Sequence, residues 1–147
     1  IVNGWGKERH KGEYSTCHID LKSLGLYSVY EAFLKEFIYP LMWFLFRELS
    51  KPPLLFSETF LVKYEQGKSQ NLKCHYDDGL ISVNISLNDK FVGGGTWFPK
   101  HSILQQSKIG YGLIHPAGMA HKHGAKSLLE GMRYQLVSFC KKGEYNE

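Results

Sequence analysis

The stretch from Ile81 to Leu87 narrows the possible folds more than any other part of the chain. Apolar Ile81, Val83, Ile85 and Leu87 alternate with Ser82, Asn84 and Ser86. A period of two is that of a β-strand with one apolar and one polar face. Similar signals surround it. Phe60-Leu61-Val62-Lys63-Tyr64 has strand character, Gly67 to Gln70 forms a turn, and Gly93-Gly94-Gly95 interrupts the pattern before Thr96-Trp97-Phe98. Further strands are expected over Lys108 to His115 and Arg133 to Cys140, and a shorter β-favouring run over Ser15 to Leu21. Short strands at regular spacing, with turns between them, argue for a sandwich or jelly-roll barrel.

One helix is expected ahead of the strands. Ser28 with Glu31 three residues on has the form of a reciprocal N-terminal cap. Val29, Phe33, Phe37, Leu41 and Phe44 recur near the helical period and form the expected core face. Pro40 should kink or divide this helix, and Lys51-Pro52-Pro53 should end it. The fold class is therefore mainly β with supporting helices. Residues 1–147 are read as a single domain, with strands and the supporting helix in 1–58 and the barrel core in 59–141.

With 147 residues the chain can bury one core. Its net charge of +4 comes from scattered Lys and Arg, without the basic stripe of a nucleic-acid binder, though it would suit an acidic partner. The chain begins at Ile1, as an excised domain or processed fragment would, and no charged-then-apolar leader opens it. The most apolar run, Phe37 to Phe46, contains Pro40 and falls well short of the ~20 residues of a membrane span. It reads as a core helix. Cys17, Cys74 and Cys140 are odd in number and far apart, so neither a disulfide framework nor a CxxC knuckle is expected. Free thiols lean towards a reducing compartment, and localisation stays open.

His75-Tyr76-Asp77 carries the chemistry. Residues i and i+2 of a strand share a face, so an imidazole and a carboxylate can converge on one ion. A second His from a distant strand would complete a facial triad whose open side suits iron(II). A lone HxD is a weak signal, and His18-Ile19-Asp20 is a second one. Context separates the two: strands, a His-rich turn and an Arg follow His75, whereas His18 precedes the helix. His75 and Asp77 are taken as ligands, and His18 and Asp20 as structural. The third ligand comes from His115, His121 or His123, and spacing alone does not choose between His121 and His123.

From Phe60 to Lys141 the chain resembles the prolyl and lysyl hydroxylase branch of the 2-oxoglutarate oxygenases, in particular the C-terminal domain of the procollagen lysyl hydroxylases. The matching pieces are Phe60 to Tyr64, His75-Tyr76-Asp77, Ile81 to Asn88, Gly93-Gly94-Gly95, Leu113-Ile114-His115-Pro116, His121-Lys122-His123 and Gly131-Met132-Arg133-Tyr134, in the family's order. The resemblance implies a double-stranded β-helix, the jelly-roll of that family. It also implies His123 as third ligand, because the family's metal-binding His lies about ten residues before a basic residue and is followed by a small one, as in His123-Gly124-Ala125 with Arg133 downstream. His121 then lines the entrance or supports the ligands, and His115 packs near a strand end.

By the same resemblance Arg133 grips the distal carboxylate of 2-oxoglutarate. A permanently charged planar fork suits that task. An Arg here matches the lysyl enzymes rather than the collagen prolyl ones, which use Lys. Tyr64 matches a Tyr that relatives present to the co-substrate. Asn84 and Ser86 join the candidates as the polar face of an apolar strand, the alternative being that this face meets solvent. Asn84-Ile85-Ser86 is a glycosylation sequon that a packed strand would make incidental. The three glycines fit either a close backbone approach or a plain hairpin, and Trp97 and Phe98 are read as core rather than substrate wall.

The implied cofactors are Fe(II), 2-oxoglutarate and O₂, with ascorbate allowed. The implied reaction turns 2-oxoglutarate and O₂ into succinate and CO₂ while a substrate C–H becomes C–OH. Asp77 favours hydroxylation over halogenation, for which relatives replace the carboxylate. A lysyl or prolyl side chain of a protein or peptide is the implied substrate. A small-molecule substrate and a non-catalytic metal-binding barrel are the alternatives. The chain is far shorter than the collagen-modifying enzymes and has no glycosyltransferase portion, which weakens collagen as the substrate. The resemblance offers the secretory-pathway lumen as the alternative location.

Overall fold

The computed structural model describes residues 5–7 and 16–143. Among these, the strands form two antiparallel sheets. The larger joins β1 (Gly6–Lys7), β2 (Cys17–Asp20), β3 (Leu54–Glu65), β5 (Ile81–Ser86), β9 (Gly112–Pro116) and β11 (Leu128–Lys142), in the order β1-β2-β3-β11-β5-β9. β6 (Phe91–Gly93) pairs with the first residues of β11. The smaller sheet runs β4-β10-β7-β8, built from β4 (Leu72–His75), β7 (Thr96–Phe98), β8 (Ile103–Gln105) and β10 (His123–Ala125). A cavity lies between the sheets, lined by Phe60, Val62 and Tyr64 of β3 on one side and by His75, Thr96 and His123 on the other. The jelly-roll expected from the strand spacing is thus present as two facing sheets.

The outer face of the larger sheet carries a helical layer made of α1 (Tyr27–Phe33), a π-helical turn (Leu34–Ile38) and α2 (Tyr39–Leu45). Leu34, Ile38 and Met42 pack on Phe56, Ile81, Val83 and Cys140. Each fully buried side chain of this size contributes about 1.5–3 kcal/mol. β5 has the predicted alternation, with Ile81 and Val83 turned to the helices and Asn84 to the cavity. β3 serves both layers because its register with β11 slips: Phe139 faces Glu58, while Cys140 faces Phe56. Ser57 is the extra residue of this bulge. It turns Phe56 towards the helices and Glu58, Phe60, Val62 and Tyr64 towards the cavity.

The helix departs from expectation in two ways. Its N-cap is Leu26 with no side-chain cap, so Ser28 lies inside the first turn. Gly25, left-handed at φ 68, closes the preceding 3-10 turn and feeds the chain into the helix early. Glu31 pairs instead with Lys35 at 3.3 Å. The second departure is the core face: Val29, Phe33, Phe37, Leu41 and Phe44 are exposed. The segment is apolar on nearly every side, so periodicity could not choose a face. The sheet chooses it through tyrosines that reach polar groups: Tyr27 Oη donates to the Phe56 carbonyl at 3.2 Å, Tyr39 Oη donates to the Leu54 carbonyl at 2.9 Å, and Tyr30 Oη accepts from Ser138 at 3.3 Å. Pro40 does divide the helix, standing at the start of α2 just after the π-turn.

Several strand limits differ as well. β3 begins at Leu54, directly after Pro53, and β11 begins at Leu128. The expected strand from Lys108 starts only at Gly112, because Lys108 to Tyr111 forms a turn closed by a 3.1 Å hydrogen bond from the Tyr111 N–H to the Lys108 carbonyl. Ser15, at the head of the first expected run, lies outside the described residues. Among the described residues, no helix is long and apolar enough to cross a membrane.

Candidate metal centre

Strand pairing in the smaller sheet sets His75 directly opposite His123, joining one candidate ligand from β4 to another from β10. Gly124 makes this approach possible, since a Cβ there would lie 2.6 Å from the Leu72 carbonyl oxygen. Asp77 is not in the strand, as the sequence suggested, but two residues past its end. Ser82 of β5 fixes it with a 2.5 Å hydrogen bond to Oδ2. His75 Nε2 is 3.2 Å from Asp77 Oδ1, and His123 Nε2 is 3.5 Å from Oδ2. One donor atom from each of the three residues lies within 4.8 Å of the others. Among the described residues, no other group of three or more His, Cys, Asp and Glu is close enough to share an ion.

Both rings are held in the orientation a metal requires. His75 Nδ1 donates to the Lys73 carbonyl at 2.8 Å, and His123 Nδ1 to the His121 carbonyl at 3.0 Å. Carbonyls only accept, so each proton sits on Nδ1 and Nε2 turns inward, the arrangement that orients ligating histidines. Burial pushes the Asp77 carboxyl up, but the contact with His75, the nearby His123 and the hydrogen bond from Ser82 outweigh it and hold it at about 2. For His75, burial works against the charged form, yet the Asp77 and Lys73 contacts raise its pKa overall. His123 is lowered, chiefly by burial. Two inward imidazoles and an ionised carboxylate fit a divalent ion such as iron(II).

The same cavity, of about 340 Å³, holds a cation further in. Arg133 stands opposite Tyr64 in the β3–β11 register. Its guanidinium lies 5.3 Å from the Tyr64 ring centroid and donates to Thr96 Oγ1 at 3.3 Å. Burial lowers the Arg133 pKa and raises that of Tyr64, with Arg133 pulling Tyr64 partly back. Among the described residues, no carboxylate forms an ion pair with Arg133. A centre for a divalent ion and a buried guanidinium thus share one chamber, open to a ligand with an acidic end.

Of the other sequence candidates, Tyr64 and Asn84 line the cavity. Ser86 does not; it accepts from Gln135 Nε2 at 3.0 Å and donates to the Asn88 carbonyl at 3.1 Å. The sequence reading missed Gln135 and Thr96, both of which line the cavity. Gln135 could have been found from its parity with Arg133 on one strand. Thr96 follows three glycines with positive φ, and a Cβ on Gly93 would lie 2.8 Å from the Ser127 carbonyl oxygen, a close backbone approach. Phe98 is buried against His115 and His123, while Trp97 is half-buried beneath Lys126. His121 is not among the residues that line the cavity; its carbonyl holds the His123 ring, and its own ring lies 6.1 Å from that of His101. His18 packs edge-on to Phe60, and Asp20 accepts from the Lys22 N–H at 2.7 Å, both structural roles.

No family model matches the chain. Over 93% of its length it is 30% identical to procollagen-lysine,2-oxoglutarate 5-dioxygenase of Drosophila melanogaster, of which it spans 21%. Over 70% of its length it is 32% identical to 2-oxoglutarate and iron-dependent oxygenase domain-containing protein 2 of Mus musculus, spanning 32% of that protein. Among solved structures, the non-haem α-ketoglutarate-dependent epimerase SnoN from nogalamycin biosynthesis matches 93% of the chain and 66% of its own, with TM-score 0.67 and 12% identity. That last likeness concerns the fold alone. By sequence, this chain is therefore homologous to part of the proteins named as 2-oxoglutarate- and iron-dependent oxygenases, the procollagen-lysine dioxygenases among them.

Proposed function

We propose that the chain is an iron(II)- and 2-oxoglutarate-dependent dioxygenase domain that hydroxylates an aliphatic carbon, releasing succinate and CO₂. The observation that carries this reading is the pairing, within one cavity, of the His75–Asp77–His123 donor set and a buried Arg133 with no carboxylate partner among the described residues. A metal held only for structure would need no such cation. Arg133 holds the distal carboxylate of 2-oxoglutarate through paired charge-assisted hydrogen bonds, while Tyr64, Thr96 and Asn84 shape the space around it. His75, Asp77 and His123 hold the iron, which supplies activation of O₂ when bound. Ser82 keeps Asp77 ionised and fixed. The apolar wall of Phe60, Val62, Val137 and Phe139 limits water around the co-substrate.

The substrate we propose is a lysyl or prolyl side chain of a protein, by the relationship to proteins named as procollagen lysyl hydroxylases. A small-molecule substrate is the second reading; the cavity of about 340 Å³ has room for one.

Iron(II) and 2-oxoglutarate added anaerobically to the purified chain should give the visible charge-transfer band of the chelate. His123→Ala should abolish the band, His121→Ala should keep it, and Arg133→Ala should need far more 2-oxoglutarate. A folded wild-type protein with no band at saturating iron and co-substrate would sink the catalytic reading. Substrate-dependent 2-oxoglutarate turnover with lysyl and prolyl peptides against small metabolites then separates the two substrate classes.

A further inference from the structure

A third imidazole faces Asp77, and neither the donor set nor the co-substrate pocket uses it. His115, the penultimate residue of β9, is 5% exposed. Its Nδ1 donates to the Pro116 carbonyl at 2.9 Å, the same device that orients His75 and His123. The ring proton is therefore on Nδ1, and Nε2 presents a lone pair. That Nε2 is buried with no hydrogen-bond partner and lies 4.0 Å from Asp77 Oδ2, itself an acceptor. The ring cannot readily turn away, being packed edge-on to Phe98 at 5.1 Å and against His123 at 4.7 Å between centroids.

Two acceptors facing each other in a buried site leave a lone pair unsatisfied, a state costing about 1–3 kcal/mol. Something in the working protein must donate to it. Direct ligation does not fit, since His115 falls outside the set of donor atoms within 4.8 Å of one another. A water bound to an ion held by His75, Asp77 and His123 would have protons to give. Resting on the metal reading above, we infer that His115 is a positioning residue: its Nε2 accepts a hydrogen bond from a water bound to the metal and holds that water against the Asp77 side of the centre. Sequence reasoning assigned His115 to packing at a strand end; its packing is what aims the lone pair.

The test compares His115→Phe, which keeps a ring against Phe98, with His115→Gln, whose carbonyl oxygen can take the place of Nε2. Mn(II) alone is the probe, and its dissociation constant is read from the free-ion electron paramagnetic resonance signal. His115→Phe should bind Mn(II) at least about tenfold more weakly, and His115→Gln should stay within about threefold of wild type, in the range known for outer-shell partners of metal ligands. Unchanged binding in His115→Phe overturns the inference, and equal losses in both variants reassign His115 to shape alone. A loss in His115→Phe as complete as in His123→Ala would make it a direct ligand instead. Wild-type protein that binds no Mn(II) would strike the metal centre itself, a separate failure. If the variants do not fold, imidazole ¹H–¹⁵N correlation spectra of the unmutated zinc-loaded protein decide. Those spectra should show His115 protonated at Nδ1, with Nε2 hydrogen-bonded and unmetallated. A metallated or protonated Nε2 overturns the inference.

Discussion

Arg133 is 5% exposed, and among the described residues its guanidinium meets the Tyr64 ring and the Thr96 hydroxyl but no anion. The effective penalty for burying a charge is several kcal/mol, here about 5. A desolvated cation–π contact returns about 2 kcal/mol, and one charge-assisted hydrogen bond about 2 more. The free protein is therefore left about 1 kcal/mol worse off than with an apolar side chain of similar length. Arg133→Met should raise the melting temperature of the ligand-free protein by about 3 °C, the shift expected for that energy in a domain of this size. The same change removes one partner of a buried ion pair from the complex, a loss of about 3–5 kcal/mol. Affinity for 2-oxoglutarate should then fall by about two to three and a half orders of magnitude. At a co-substrate concentration a hundredfold above the wild-type Kd, the wild type gains about 2.7 kcal/mol and the variant almost nothing, so their order of stability reverses. Thermal melts of the iron-loaded, anaerobic protein with and without 2-oxoglutarate read both effects. A variant that melts several degrees lower without ligand and binds 2-oxoglutarate within threefold of wild type would refute the reasoning.

Three further outcomes are expected. Asp77 has a lowered pKa of about 2 against an ordinary 3.8, so its contribution of roughly 2 kcal/mol is present above pH 4 and lost as pH falls towards 2. Urea midpoints of the metal-free protein should fall over that window, and less steeply in Asp77→Asn; equal slopes would contradict the assignment. Gly124→Ala would drive a Cβ into the backbone of β4, 2.6 Å from the Leu72 carbonyl oxygen, costing about 1–3 kcal/mol and weakening Mn(II) binding with it. Leu34→Ala should cost about 2–5 kcal/mol in urea unfolding, while Phe44→Ala at an exposed position should stay within about 0.5 kcal/mol; the reverse order would place the other helix face on the sheet.

What the sequence made legible follows from which physical signals are local. The alternation over Ile81 to Ser86 could be read because each face of β5 meets a different environment, helices on one side and a polar-rimmed cavity on the other. His75 and Asp77 could be read because two residues suffice to propose a shared ion, and resemblance then chose His123, which the structure sets across the strand pair. The helix face was not legible, because Tyr27, Tyr30 and Tyr39 choose it through hydroxyl contacts with distant strands. Nor was the bulge at Ser57, which exists only in relation to β11. Thr96 escaped for the same reason: a polar residue on a short strand says nothing of the chamber it faces until its partner strand is known, whereas Gln135 shares its face with Arg133 and was within reach.

The long last strand has a kinetic consequence. β11 pairs from Met132 onward with β3, along its second half with β5 and at its start with β6, so it stands between both hydrophobic cores. Arg133 cannot leave its place unless much of the molecule opens, and its amide should exchange with solvent at a rate close to that of global unfolding. The four residues of β4 form an outer strand of the smaller sheet, and Asp77 hangs beyond its end. The chamber thus has an inner end and an edge end: Arg133 lies on a strand deep in the larger sheet, while His75 lies on an outer strand and Asp77 depends on Ser82 of β5 to stay in place.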